Sequence, residues 1–319
     1  MNVLRALRRS GVLGINRRNI DYTQAWNQRR LYPLVDDKLA TKRLCQVAGI
    51  PTPRLLAVAR HHFEIQRLRE AMAGLTSFVL KPARGAMGNG ILVLEQREGR
   101  LWRGTRPYSR DDFEYHAAGI ISGLYSLAGH ADVAMVEERL ETHPVLAPLR
   151  DDGVPDIRVI VYRGVPVMCM MRMPTRLSDG RANLHQGAVG IGIDLVEGRA
   201  IHAMQRGRSI DQSPDTGVPI VGLLLPEFDA ILRTAVSATD QTGLGYVGAD
   251  VVLDAQLGPV ILELNARPGL AIQLANRAGL LPRLHAVDSR FGPKQGPPAP
   301  MTLDERIALG RGVAERLSR

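Results

Sequence analysis

Residues 247–269, VGADVVLDAQLGPVILELNARPG, constrain the fold more than any other stretch of the chain. Two apolar runs flank a short polar break, the pattern of a β-hairpin. A turn centred on Gln256 and Leu257 pairs Asp250 with Glu263 across the strands, and the side-chain period of two puts Asn265 on the same face. Two carboxylates and an amide then converge. Like charges directly opposed on a sheet repel, and the flanking apolar residues offer no counter-charge, so a divalent cation would resolve the conflict. An all-oxygen set with few protein ligands suits Mg²⁺, which keeps waters and shares its coordination with substrate phosphates. The competing reading is an ordinary hairpin with an exposed polar face.

Lysine usage supplies a second constraint. Of 41 basic residues only Lys38, Lys42, Lys81 and Lys294 are lysines, so positions that stay lysine are candidates for needing a compact ammonium rather than a guanidinium fork. Lys81 ends the apolar run SFVL and precedes PARGAMGNG, with Gly85, Gly88 and Gly90, after which a second apolar run, ILVLE, begins. A Rossmann fingerprint or a Walker loop must open a helix, and this strand–loop–strand pattern does not. Two readings stand: a glycine-rich hairpin loop whose backbone N–H groups close over phosphates beside a lysine, or a plain turn. Lys38 opens a predicted helix, with Asp36 and Asp37 as N-caps, Leu39, Leu44 and Val47 as apolar positions, and Gly49 and Pro51 as the stop. A lysine in a first helical turn opposes the helix dipole unless an anion lies nearby.

The remaining punctuation predicts an amphipathic helix near residues 64–73, a hairpin over 78–95, a helix over 111–127 and a strand over 133–138. IRVIVYRGVPVMCMM reads as a hairpin turning at Arg163 and Gly164; symmetric pairing puts Arg158 and Arg172 on opposite faces unless a bulge intervenes. LPEFDAILRTAVSATDQTG is a helix, RFGPKQGPPAP a linker, and Thr302 with Glu305 a capping box for a last helix.

Taken in order, these pieces resemble the ATP-grasp superfamily, and within it the glutamate-ligase type of carboxylate–amine ligase, from about residue 31 to about 281. The resemblance implies an α+β fold: two α/β subdomains with mostly antiparallel sheets clasping ATP. It divides the chain into a basic arm (1–35), an ATP-grasp domain (36–285, with a lid over about 53–135 and a metal-bearing part over about 136–285) and a linker with a C-terminal helix (286–319). It assigns Lys38, Lys81 and the loop glycines Gly85, Gly88 and Gly90 to ATP phosphates. The strand VAMVEERL matches the hinge, with Glu138 on the ribose side and the backbone of Arg139 and Leu140 at the adenine edge. Asp156, Ile157 and Arg158 match the family's Asp-Ile-Arg strand, and RANLHQGA places Arg181, Asn183 and His185 near the phosphates. Asp250, Glu263 and Asn265 become the ligands of Mg²⁺, with Mn²⁺ as a substitute. Arg158, Arg172 and Arg267 are the catalytic candidates; Arg267 either binds a substrate carboxylate or caps the hairpin end. His185 reads as a structural hydrogen-bonding residue, and the adjacent His61 and His62 point apart and lie on the surface.

The activity implied is ATP-dependent amide formation between a carboxylate, on an acidic peptide or small acid, and an amino-acid amine, glutamate foremost, through an acylphosphate. A phosphotransferase on the same fold and a non-catalytic nucleotide-binding assembly protein are the alternatives. Family ligases carry a complete N-terminal α/β domain before the first lysine, and 37 residues are too few for one, so that domain is expected to be truncated.

Composition narrows the partners. Residues 1–43 hold ten Lys and Arg against three Asp, a net +7 of the chain's +9. Such an arm either steers an acidic acceptor, an anionic surface or nucleic acid, or docks on its own chain or a second copy in a homo-oligomer. The aromatic content of 4% argues against a single-stranded nucleic-acid platform. Two cysteines, Cys45 and Cys169, lack zinc spacing and are too few for a disulfide framework, which points to a reducing cytoplasm. The apolar stretch 117–129 is too short to span a bilayer, and arginines interrupt the N-terminal apolar run before a signal sequence could form.

Overall fold

The computed structural model describes residues 10–85, 88–126, 129–292 and 301–318. These fall into two compact units, residues 37–39 with 53–140, and residues 10–36, 40–52 and 141–318.

The smaller unit is built on a six-stranded sheet. Its strands are β1 (Leu55–Ala59), β2 (Ser77–Pro82), β3 (Leu92–Arg97), β4 (Arg100–Arg103), β5 (Arg106–Tyr108) and β6 (Ala134–Glu138), in the order β1-β6-β2-β3-β4-β5 with antiparallel neighbours. Alternation does what the sequence pattern requires: Phe78 and Leu80 on β2 and Leu92 and Leu94 on β3 all point into one core. Helices Ile65–Ala71 and Arg110–Ile121 close that core with Leu68, Phe113, Ala117 and Ile120, and the Phe78 and Phe113 rings meet edge to face at 6.4 Å. Ser109 and Asp112 form a capping box that starts the second helix. That helix ends at Ile121, six residues before the expected stop at 127, which lies outside the described residues.

The larger unit carries a seven-stranded sheet, also antiparallel. Its strands are β7 (Asp156–Tyr162), β8 (Val165–Met173), β9 (Val189–Ile193), β10 (Ala200–Gln205), β11 (Arg208–Ile210), β12 (Tyr246–Asp254) and β13 (Gly258–Asn265), in the order β11-β10-β9-β8-β7-β12-β13. One face buries Ile157, Val159, Val161, Val247, Ala249 and Val251 beneath helices Phe228–Asp240 and Leu303–Ser318. The other face buries Ile160, Tyr162, Met168, Met170 and Tyr246 with Leu13 and Tyr22 of the N-terminal segment and helix Leu281–Phe291. Residues 10–27 are thus packed: Gln273 exchanges two hydrogen bonds with the Leu13 backbone, 2.8 and 3.1 Å, and Asn27 spans Tyr246 and Ala266. The Thr302–Glu305 capping box starts the last helix as the sequence predicts.

Both hairpins reach their register by bulges. The ladder between β12 and β13 closes at Asp254 opposite Gly258, so the loop has three residues rather than a two-residue turn at Gln256 and Leu257. An extra residue, Leu262, then shifts the pairing back, and Asp250 faces Glu263 as the simpler turn would have placed it. The β7–β8 hairpin turns at Arg163 and Gly164, both at positive φ, and its bulge at Val167 sets Asp156 opposite Arg172 and Arg158 opposite Met170. Arg158 and Arg172 therefore share a face. Helix Lys38–Val47 buries Leu39, Thr41, Lys42 and Cys45, whereas Val47, expected on its apolar side, is 91% exposed because the buried stripe runs through positions 39, 42 and 45. Both cysteines are buried free thiols.

The last helix offers a test of this packing. A Cβ at Gly310 would lie 2.2 Å from the Pro166 carbonyl, while one at Gly312 would have only the tip of Arg316 nearby. Gly310→Ala should destabilise the chain by about 1–3 kcal/mol through overpacking, while Gly312→Ala should stabilise it by about 0.5–1 kcal/mol through helix propensity. Chemical denaturation of the two variants measures both signs, and equal effects would contradict the close approach of helix and strand.

Candidate functional site in the larger unit and a glycine-rich loop in the smaller

Asp250 is the centre of the charged cluster on the larger sheet. Its side chain is fully buried, and Arg158 on β7 forks onto it with Nε to Oδ1 at 2.7 Å and Nη2 to Oδ2 at 2.6 Å. Arg172 on β8 forks in the same way onto Asp156, at 2.6 Å for each bond, and its Nη2 also donates to Asp250 Oδ2 at 2.6 Å. From β13, the Asn265 amide donates to Asp250 Oδ2 at 3.3 Å and to Glu263 Oε1 at 3.2 Å. Four adjacent strands thus deliver Asp156, Arg158, Arg172, Asp250, Glu263 and Asn265 to one face.

The electrostatics follow from that crowding. Burial alone would raise the Asp250 carboxyl, but the Arg158 and Arg172 guanidiniums overcome it and hold the group below the usual carboxylate range. Asp156 is different. Burial dominates there, Arg172 opposes it, the nearby Asp250 charge adds to it, and the group is pushed up to about 6. Burial likewise acts to lower Arg172, and its two carboxylates more than reverse this. The expected absence of counter-charge around the opposed carboxylates is therefore corrected: the neighbouring strands supply two guanidiniums, which a reading of the hairpin alone could not see.

Glu263, half-buried, and the Asn265 side-chain carbonyl are oxygen donors of the kind Mg²⁺ prefers. Asp250 Oδ2 already accepts three hydrogen bonds and Oδ1 accepts one, so of the three residues Asp250 has the least lone-pair capacity left. Among the described residues no group of three or more His, Cys, Asp or Glu side chains has metal-binding geometry. The residues fit an ion held mainly through Glu263 and Asn265, with Asp250 as a partial ligand.

In the smaller unit, Lys81 lies at the end of β2 with its ammonium 2.5 Å from Glu137 Oε2, the two side chains 4% and 2% exposed. The lysine singled out by composition is half of a buried ion pair, and its partner is Glu137, next to the hinge candidate Glu138. Alternation on β6 was the available signal, since one of two consecutive glutamates must face inward. Lys38 opens its helix with Asp37 accepting from the Leu39 N–H, and its Nζ donates to the Gly85 carbonyl at 2.7 Å. Gly88 and Gly90 have positive φ, and residues 86 and 87 of the loop lie outside the described residues. Glu138 pairs with Arg54 at 3.2 Å, Arg139 with Glu95 at 2.5 Å, and Leu140 is buried.

The other candidates are dispersed. Asn183 caps a short 3₁₀ turn by accepting from the His185 backbone N–H, His185 is exposed, and Arg181 lies 3.7 Å from Asp179. His61 and His62 are exposed, as expected. Arg267 is exposed and stacks over Tyr32 at 5.1 Å. Within the basic arm, Arg18 is only 7% exposed and donates to the Arg267 and Pro268 carbonyls at 3.3 and 2.8 Å, while Arg17 pairs with Asp21. Arg18 is a packing residue rather than a steering charge; Arg5, Arg8 and Arg9 lie outside the described residues. No described helix is long and apolar enough to cross a membrane.

The cluster's asymmetry can be measured. Asp250→Asn leaves Arg158 buried without the carboxylate it forks onto and should cost about 3–5 kcal/mol of stability. Denaturant unfolding within about 0.5 kcal/mol of wild type, the spread of an ordinary surface substitution, would show that Asp250 is not the cluster's centre.

Residues 17–289 match the model of the sugar-transfer associated ATP-grasp family. The chain is 26% identical over 234 residues to a probable alpha-L-glutamate ligase of Enterobacter sp. (strain 638), and equally to one of Halorhodospira halophila. Each alignment covers 73% of this chain and 56% of the relative, so the chain spans about half the length of the curated relatives it matches. The ATP complex of biotin carboxylase from Campylobacter jejuni aligns at 17% identity and a TM-score of 0.48, over 88% of this chain and 47% of that one. With the family model covering most of its length and both sheets in place, the chain belongs to the sugar-transfer associated ATP-grasp family.

Proposed function

We propose that this chain is an ATP-dependent ligase that joins a carboxylate to an amino-acid amine, with glutamate as the amine, through an acylphosphate and with release of ADP and phosphate. The observation that carries the reading is the meeting of Asp250, Glu263 and Asn265 with Arg158 and Arg172 on one sheet face. Acidic and amide oxygens suit a cation that chelates phosphates, and guanidiniums suit the anion being transferred. The names of the alpha-L-glutamate ligase relatives support the choice of amine.

In this reading the protein's contribution is electrostatic. Glu263 and Asn265 would hold Mg²⁺, which when bound would supply charge neutralisation at the phosphates. Arg158 and Arg172 use Nε and Nη2 on Asp250 and Asp156, which leaves their Nη1 N–H groups to face a substrate anion. Their orientation is fixed in advance by the buried carboxylates, so little reorganisation accompanies the reaction. Asp156 and Asp250 are positioning residues. Lys38 and Lys81 address the nucleotide phosphates, Lys38 from beside the Gly85 carbonyl and Lys81 from its ion pair with Glu137.

ADP release with purified protein, measured against a panel of amino acids and acidic acceptors with mass spectrometry of products, tests the reading. Glu263→Gln should lower turnover by at least about 100-fold with the fold retained, because losing a metal ligand removes several kcal/mol of transition-state stabilisation. Lys81→Arg should impair nucleotide use as well, since a wider fork cannot replace a point charge in a buried pair. Wild-type turnover in Glu263→Gln would remove the hairpin from the reaction.

A further inference from the structure

His116 belongs to none of the groups assigned above, yet both of its ring nitrogens have hydrogen-bond partners. It lies on helix Arg110–Ile121, between Phe113 and Ile120 of the buried stripe, and is itself half-buried. Nε2 is 3.0 Å from the carbonyl oxygen of Gly90, and Nδ1 is 3.3 Å from the Tyr125 hydroxyl. A carbonyl oxygen only accepts, so Nε2 carries the proton and Nδ1 accepts from Tyr125, which defines one neutral tautomer. Burial favours the neutral ring by lowering its pKa, against the Gly90 hydrogen bond and with the help of Arg103. The Tyr125 ring stacks on His116 at 5.0 Å and packs on Gly90, where φ is +75° and a Cβ would lie 2.6 Å from the ring. Gly90 is thus required twice, for its backbone angle and for the closeness of Tyr125.

The entrance of the same loop is held from the same segment. Asp132, 4% exposed, accepts from the Arg84 backbone N–H at 3.0 and 3.1 Å and from the Ser126 hydroxyl at 2.7 Å. Gly85 is bridged to Ser126, the residue next to Tyr125. One short stretch of chain, with a histidine behind it, therefore grips both ends of the glycine-rich loop.

We infer that His116 is a positioning residue, a latch that holds the Gly90 carbonyl and so sets the position from which Gly88, Asn89 and Gly90 present their backbone N–H groups to a nucleotide phosphate. The inference rests on the nucleotide reading above for its purpose, and on the hydrogen bonds alone for the latch. His116→Phe keeps the ring stack and removes both hydrogen bonds; His116→Gln restores a donor toward Gly90.

Hydrogen exchange over residues 83–92, melting temperature and MgATP titration by calorimetry on the full chain test it. In His116→Phe, exchange over 83–92 should quicken and MgATP binding should weaken, each by roughly threefold to tenfold as expected for loss of the hydrogen bond to the Gly90 carbonyl. The melting temperature should stay near wild type, and His116→Gln should recover most of both losses. Tyr125→Phe, which removes one hydroxyl, should give a smaller change of the same sign and serves if His116→Phe fails to fold. Unchanged exchange in a folded variant overturns the latch, as does a uniform loss of stability that His116→Gln does not rescue. Faster exchange with unaltered MgATP affinity overturns the positioning role. Failure of the wild type to bind MgATP sinks the functional reading instead, and the exchange measurement still decides the latch.

Discussion

The contact on which the larger unit's charged cluster depends is the fork of Arg158 and Arg172 onto buried Asp250 and Asp156. Charges are expensive to bury, and this set is tolerable because each guanidinium meets carboxylate oxygens in bidentate geometry. The same contact fixes the arginines' outer N–H groups without any ligand. It also explains why a cluster of this kind is built on four adjacent strands rather than on loops, since only a packed sheet holds two forks in mutual register.

Two bulges make that register possible. Without the extra residue at Val167, Arg172 would turn away from Arg158; without the one at Leu262, the three-residue loop would move Glu263 and Asn265 to the opposite face. A one-residue slip inverts every side chain beyond it. The insertions are therefore part of the site even though neither Val167 nor Leu262 carries any chemistry. Bulges commonly re-aim side chains beside functional sites, and here each repairs an offset created by its own turn.

The sequence disclosed what is local and periodic. The strand pair carrying Asp250 and Glu263, the Arg163–Gly164 turn, the glycine-rich hairpin and the Thr302–Glu305 cap were all legible from alternation and turn chemistry. What it concealed was contact across the sheet. The hairpin containing Asp250 and Glu263 shows no positive charge, because Arg158 and Arg172 arrive from strands some 80 to 90 residues earlier. Lys81 stands out by composition and alternation on β6 turns one of two glutamates inward, but only the pairing of β2 with β6 joins Lys81 to Glu137. The net charge of the basic arm leaves steering and docking open, and for Arg18 burial against the Arg267–Pro268 backbone decides for packing.

The most direct test of the account follows one oxygen atom. An acylphosphate forms when a carboxylate oxygen attacks the γ-phosphorus of ATP, and the amine then displaces phosphate, which leaves the acyl carbon with that oxygen. With an ¹⁸O-labelled carboxylate acceptor, glutamate and ATP, the account predicts one ¹⁸O in each inorganic phosphate released alongside the amide product. Unlabelled phosphate, or a stable phosphorylated product with the label still in the acceptor, would contradict it.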